Sequence, residues 1–195
     1  DSVLMKNYLT VVTALEMWKN GKISSYNLFD MKKFGRFWAL CYLAGAKHAQ
    51  EFHNIRFYFN KITSKIEPIG FDSGIFSSIE GENYKTYVEQ RSLQRIFFGN
   101  NQFMSEFHRT LEKISSESYL NQFFNENQKS YSKRLRTIHS EWPYYNFDEK
   151  EVIYKNAAII RNYLNQFDNV DFYLDIRNND KIIIDVINRF DGPVE

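Results

Sequence analysis

Residues 53–72 read His53-Asn54-Ile55-Arg56-Phe57-Tyr58-Phe59-Asn60-Lys61-Ile62-Thr63-Ser64-Lys65-Ile66-Glu67-Pro68-Ile69-Gly70-Phe71-Asp72, and they break the rhythm of the chain around them. Ile55, Phe57 and Phe59 alternate with Arg56 and Tyr58, the period of two that marks a strand with one buried face. A polar run, Asn60 to Ser64, separates this strand from a second one over residues 65–71, so the stretch predicts a two-stranded hairpin spanning 54–71. Pro68 has no N–H to give to a ladder, which confines the second strand to an edge or to a strand end. An isolated hairpin is marginal in water, so this one is expected to lie on neighbouring helices. The two ends of a hairpin meet, which brings Asn54 and Asp72 together in space.

Outward from the hairpin the period lengthens to three and four. Leu4, Tyr8, Val11, Leu15 and Trp18 predict a first amphipathic helix, stopped by Asn20-Gly21. Asp30 is placed to cap a second helix with Phe34, Phe37, Trp38 and Cys41 on one face, ended by Gly45. Residues 72–83 read as irregular. Tyr87, Arg91, Gln94 and Phe98 suggest a further helix, and Phe103, Phe107, Leu111 and Ile114 form a clear stripe. Ser118 is expected to cap a helix carrying Leu120, Phe124, Tyr131, Leu135 and Ile138. The aromatic loop from Trp142 to Phe147 is expected to form a core seam between helices. Asp148 and Glu151 stand three apart as in a capping box and open a helix through Val152, Asn156, Ile159, Ile160 and Tyr163. Residues 171–176 and 181–187 predict two strands around an Asn-Asn-Asp turn. The expected fold class is therefore mainly α with a small β-hairpin. Residues 1–168 form the helical domain, and 169–195 begin a second, β-type module.

Composition limits the function classes. The chain is 43% hydrophobic and 17% aromatic, with 18 Phe and 13 Tyr, which is the make-up of a folded domain and not of a disordered one. Twenty-five basic against 24 acidic residues leave a net charge of +1, so no whole-chain field draws nucleic acid or an anionic membrane. The densest basic cluster, Lys129 to Arg136, has helical spacing and reads as a solvated face. Cys41 is the sole cysteine, which rules out an internal disulfide and a Cys-based zinc site, and its apolar neighbours predict a buried thiol. No apolar run approaches the ~20 residues of a membrane span. The chain opens on Asp1 and stops just after a strand-like run, so it is expected to be part of a longer polypeptide.

The order helix, polar loop ending in Asn54, hairpin, Asp72 suits magnesium-dependent phosphoryl transfer. Mg²⁺ takes oxygen ligands, one or two from protein and the rest from water and phosphate. In a protein kinase an Asn of the catalytic loop and an Asp beyond the next strand pair hold the metals. On spacing alone, Asn54 capping a turn and Asp72 capping a loop is the competing account. Residues 34–45 followed by Lys47-His48-Ala49-Gln50-Glu51-Phe52-His53-Asn54-Ile55-Arg56-Phe57-Tyr58-Phe59-Asn60 resemble the catalytic-loop and hairpin region of spore-coat protein H (CotH) type kinases. Glu67-Pro68-Ile69-Gly70-Phe71-Asp72 resembles that family's counterpart of Asp-Phe-Gly, and Leu111 to Ser115 with Ser118 to Leu120 resemble its helical tail. The resemblance covers roughly residues 25–165. It implies the larger lobe of a kinase-like fold, ATP with Mg²⁺ or Mn²⁺ as cofactors, Asn54 and Asp72 as metal and nucleotide ligands, and a protein substrate.

The resemblance departs from kinases at two points. Kinases carry an Asp five residues before the metal-binding Asn, and here that position is Ala49 with His48 beside it. Two readings of His48 stay open: a base working near neutral pH, or a structural histidine in a branch that lost its chemistry and serves as a scaffold in envelope or coat assembly. The chain also has no Gly-x-Gly-x-x-Gly and no Val-Ala-Ile-Lys, so the ATP-covering lobe is expected before Asp1, and the fragment alone is expected to be inactive. His48, Glu51 and His53 spell His-x-x-Glu-x-His, which fits neither common zinc motif. On a continuous helix a step of five turns a side chain about 140° away. The two imidazoles are thus expected on different faces, and no zinc is assigned.

Overall fold

Asp30 begins the helix on which the rest is built. Its carboxylate accepts the backbone N–H of Lys33 at 3.0 Å, satisfying an orphan donor at the N-terminus of α3 (Met31–Leu43). Before it come α1 (Ser2–Lys19) and the single turn α2 (Ser25–Leu28). After it come a 3-10 turn (Lys47–Gln50), β1 (Arg56–Asn60), β2 (Lys65–Ile69), α4 (Asn101–Ser115), α5 (Glu117–Glu141), α6 (Glu149–Leu164), β3 (Val170–Asn178) and β4 (Lys181–Asn188). The computed structural model describes residues 2–51, 53–81, 97, 100–146, 148–165, 170–178 and 181–188. The mainly helical class with a small antiparallel hairpin is what the periodicities predict. The helix expected around Tyr87 to Phe98, and Phe147 of the aromatic loop, lie outside the described residues.

The core is aromatic and centres on α3 and α4. Phe34, Trp38, Phe103 and Phe107 are fully buried, and the Phe34 and Phe103 rings each stack on Phe97, at 4.7 and 5.7 Å between centroids. Such offset pairs add about 0.5–1.5 kcal/mol each beyond area burial. Gly35 allows the two helices to approach: a Cβ there would stand 2.7 Å from the Phe103 carbonyl oxygen. At the rim of the same seam the buried Glu106 carboxylate meets Arg36 Nε at 2.5 Å and Arg109 Nη2 at 2.7 Å. Burial pushes its pKa up, but the two guanidiniums outweigh this and hold it below the usual range. Cys41 is buried as expected, and desolvation raises its thiol to about 12.

The hairpin rests on this helical frame at several points: the Phe57 ring lies against Phe29 and Phe34, Glu67 pairs with Lys33 at 2.7 Å, and Ile66 is the buried anchor. Ile66 of β2 is fully buried, bridges to Phe29, and its carbonyl accepts the Asp30 N–H at 2.9 Å. The register pairs Arg56 with Ile69 and Phe57 with Pro68, and Asn60 with Lys65 at the turn. β3 and β4 pair antiparallel, Val170 opposite Asn188, as the two C-terminal runs predict.

Two local expectations are overturned. The cap of α5 is Ser116, whose hydroxyl accepts the Tyr119 N–H at 3.3 Å; Ser118 lies inside the first turn, because α5 follows α4 with a single extended residue between them. Trp142 and Tyr144 do not form a core seam: they are 63% and 96% exposed. The loop is held instead by Tyr145, whose hydroxyl donates to Glu149 at 2.6 Å.

Candidate functional site

Asn54 and Asp72 reach the same imidazole. Two turn hydrogen bonds, from the backbone N–H groups of Asn54 and Ile55 to the Glu51 carbonyl, each at 2.9 Å, fold the loop so that Asn54 points inward and is buried. Arg56 ties the two ends of the hairpin: its guanidinium donates to the His53 carbonyl at 2.9 Å and lies 4.6 Å over the Phe71 ring. The Asn54 side-chain amide contacts His48 Nδ1. The carbonyl oxygen of Asp72 is 3.2 Å and its carboxylate 3.5 Å from the same nitrogen. An imidazole nitrogen cannot accept from Asn54 and donate to Asp72 at once. A neutral ring with its proton on Nε2 therefore pairs with the amide, and a ring protonated at Nδ1 pairs with Asp72.

The segment carrying Asp72 is wound in a way the sequence did not announce. Asp72, Gly74 and Phe76 all have positive φ, at 41°, 56° and 67°. Asp tolerates this region, but for Phe it costs about 1–2 kcal/mol and persists only where neighbours enforce it. The enforcement is visible. The Phe76 N–H donates to the Ala44 carbonyl at 2.7 Å. Gly45, at φ 62°, closes α3 against the Ser77 carbonyl, leaving no room for a Cβ.

Asn156 of α6 completes the clamp. It is fully buried; its amide donates to the carbonyls of Leu43 at 3.0 Å and Ser77 at 2.9 Å, and its oxygen accepts the Ile79 N–H at 3.1 Å. One side chain thus joins the end of α3, the loop beyond Asp72 and α6. Sequence reading placed Asn156 on the helix stripe but gave it no part in the site; a polar residue at an apolar position was the available signal.

No family model, curated protein or solved structure matches the chain.

Ala49, at the place where a kinase carries its base, is buried in a small apolar cluster with Cys41 and Ala46. A carboxylate there would face the interior. His48, beside it, is 46% exposed and contacts both Asn54 and Asp72. The expectation that His48 and His53 lie on different faces is corrected. Their ring centroids are 5.4 Å apart, with Glu51 Oε2 at 3.5 Å from His48 Nε2 and 3.3 Å from His53 Nε2. The helical count fails because the 3-10 turn ends at Gln50 and Glu51 is extended, at φ −75° and ψ 142°.

Proposed function

We propose that this chain carries the metal- and nucleotide-binding half of an atypical, CotH-like kinase, with Asn54 and Asp72 as ligands of a Mg²⁺- or Mn²⁺-bound ATP. The observation that carries the reading is the meeting of the Asn54 amide and the Asp72 carboxylate on His48, at the two ends of a hairpin, with the loop beyond Asp72 clamped by Asn156. One amide and one carboxylate suit a hard cation that keeps several waters and phosphate oxygens. The donors also suit their tasks by exposure: Asn54 is buried and fixed, whereas the Asp72 side chain is 62% exposed and open to a ligand. When bound, the metal–nucleotide supplies charge neutralisation at the transferred phosphoryl group. The chain's own residues position it. Asp72-Ser73-Gly74 repeats the Asp-x-Gly order of the kinase segment, with Gly74 in the left-handed conformation at φ 56°. His48, nearest to both ligands, is the candidate base toward the acceptor hydroxyl of a protein substrate.

A second reading, a non-catalytic kinase-like scaffold, is favoured by one fact: the position of the usual base is the buried Ala49. The two readings share the nucleotide site and differ in turnover. Among the described residues no helix is long and apolar enough to cross a membrane. Thermal unfolding with ATP and Mg²⁺ or Mn²⁺ tests the shared claim. A rise in midpoint is expected for the native sequence. It is expected to vanish in Asp72→Asn, which keeps the shape and tolerates positive φ but removes the charge. An equal rise in the variant removes Asp72 from the site.

A further inference from the structure

We infer that His48, Glu51 and His53 form a second metal site, one that takes a divalent transition ion of the zinc type and is distinct from the oxygen-ligand site proposed at Asn54 and Asp72. The ligand atoms of the three residues lie within 4.8 Å of one another. Two of the three separations are those of a coordination shell: Glu51 Oε2 is 3.5 Å from His48 Nε2 and 3.3 Å from His53 Nε2. Zinc bonds of about 2.0–2.1 Å in tetrahedral geometry set neighbouring ligands about 3.3–3.4 Å apart. The third edge, between the two imidazoles, is within 4.8 Å and would close on metal binding by a small shift of His53, whose side chain is 67% exposed while its backbone carbonyl accepts from Arg56.

An independent feature points the same way. His48 presents Nε2 to the cluster, and its Nδ1 faces both the Asn54 side-chain amide and the Asp72 carbonyl oxygen at 3.2 Å. Ligation through Nε2 selects the ring protonated at Nδ1, which pairs with Asp72. A histidine ligand characteristically gives its second ring N–H to such an acceptor, which fixes the tautomer and the ring plane. Two imidazoles and one carboxylate are the donor set of catalytic zinc and related transition-metal centres, with a fourth position left for water or substrate. Imidazole selects against Mg²⁺, so the two sites differ in cation and in ligand atoms, but His48 borders both. With zinc bound it has no free nitrogen to act as the base, which matches the non-catalytic reading of the nucleotide site. The three residues lie within six positions of sequence, and they meet because the 3-10 turn that carries His48 ends at Gln50.

Calorimetric titration of the intact, untagged chain with ZnCl₂ in excess Mg²⁺ tests the inference. One Zn²⁺ per chain is expected, with the affinity falling at least tenfold in Glu51→Gln and in His53→Ala. His53 is exposed, and Glu51→Gln keeps the shape of the half-buried side chain and the backbone carbonyl that holds the turn, so the variants are expected to keep the native circular dichroism. Co²⁺ in place of Zn²⁺ is expected to give the strong visible absorption of a four-coordinate ion. Asp72→Asn, which keeps the carbonyl facing His48, is expected to retain the Zn²⁺ site even though it loses the nucleotide response, so failure of one proposal leaves the other standing. Absence of a one-to-one site, or a site unmoved by both variants, overturns it.

Discussion

Replacing Asn156 by Ala removes three hydrogen bonds at once, to Leu43, Ser77 and Ile79. Each is worth about 1 kcal/mol net, and the groups left behind are buried, so the expected loss is about 3 kcal/mol. Water entering the space left by the side chain offsets part of this, since the vacated site is polar and water bridges such groups well. Against a typical total of 5–15 kcal/mol, the variant folds but with a large fraction of its stability gone. The effect is also local. The Ile79 N–H loses its acceptor, and the loop of positive-φ residues from Asp72 to Phe76 loses the anchor that holds it on α3. Urea unfolding gives the global term, and amide hydrogen exchange at Phe76 and Ile79 gives the local one. A loss of about 3 kcal/mol, with exchange at both amides accelerated well beyond that of the α4 core, is expected. A loss below about 0.5 kcal/mol would show that the three contacts do not hold the loop, and the clamp would have to be abandoned.

Two further outcomes follow from the packing. Gly35→Ala, which in an exposed helix stabilises by about 1 kcal/mol, is expected to destabilise here, because the new methyl meets the Phe103 carbonyl oxygen; a lower thermal midpoint checks it. His108 is held down to about 4 by desolvation, below its ordinary 6.5, so the unfolded chain binds the extra proton first as the solution is acidified. Its contribution to stability is therefore complete above pH 6.5 and lost as pH falls toward 4, on the order of 3 kcal/mol at about 1.4 kcal/mol per unit. Urea midpoints measured across that range should fall in the native sequence and flatten in His108→Gln.

The elements were legible where one local rule decides them. Asp30 followed by an apolar stripe announced a capped helix, Phe103 to Ile114 announced the face of α4, and the switch to period two at Ile55 announced the hairpin. Its topology alone brings positions 54 and 72 together. What escaped reading depends on contacts far apart in sequence or on backbone geometry without a signature. Phe76 has positive φ where the Ala44 carbonyl holds its N–H and Asn156 holds the residues just after it. Trp142 and Tyr144 are hydrophobic by type yet exposed, since apolar character is no guarantee of burial. Ser118 is the cap of α5 expected from the sequence, and the tight α4–α5 joint puts Ser116 there instead. His48 and His53 meet because a helical turn stops at Gln50, a boundary the spacing rule took no account of.

The claim on which the functional account stands is that Asn54 and Asp72 serve one cation. Paramagnetic broadening by Mn²⁺–ATP in amide NMR spectra tests it most directly, because the effect decays steeply with distance from the ion. The account predicts simultaneous loss of the Asn54 side-chain amide and of the backbone amides of Asp72 and Gly74 at substoichiometric Mn²⁺–ATP, and recovery of all three in Asp72→Asn. Broadening of one end of the hairpin without the other, or a pattern unchanged by the substitution, would contradict it.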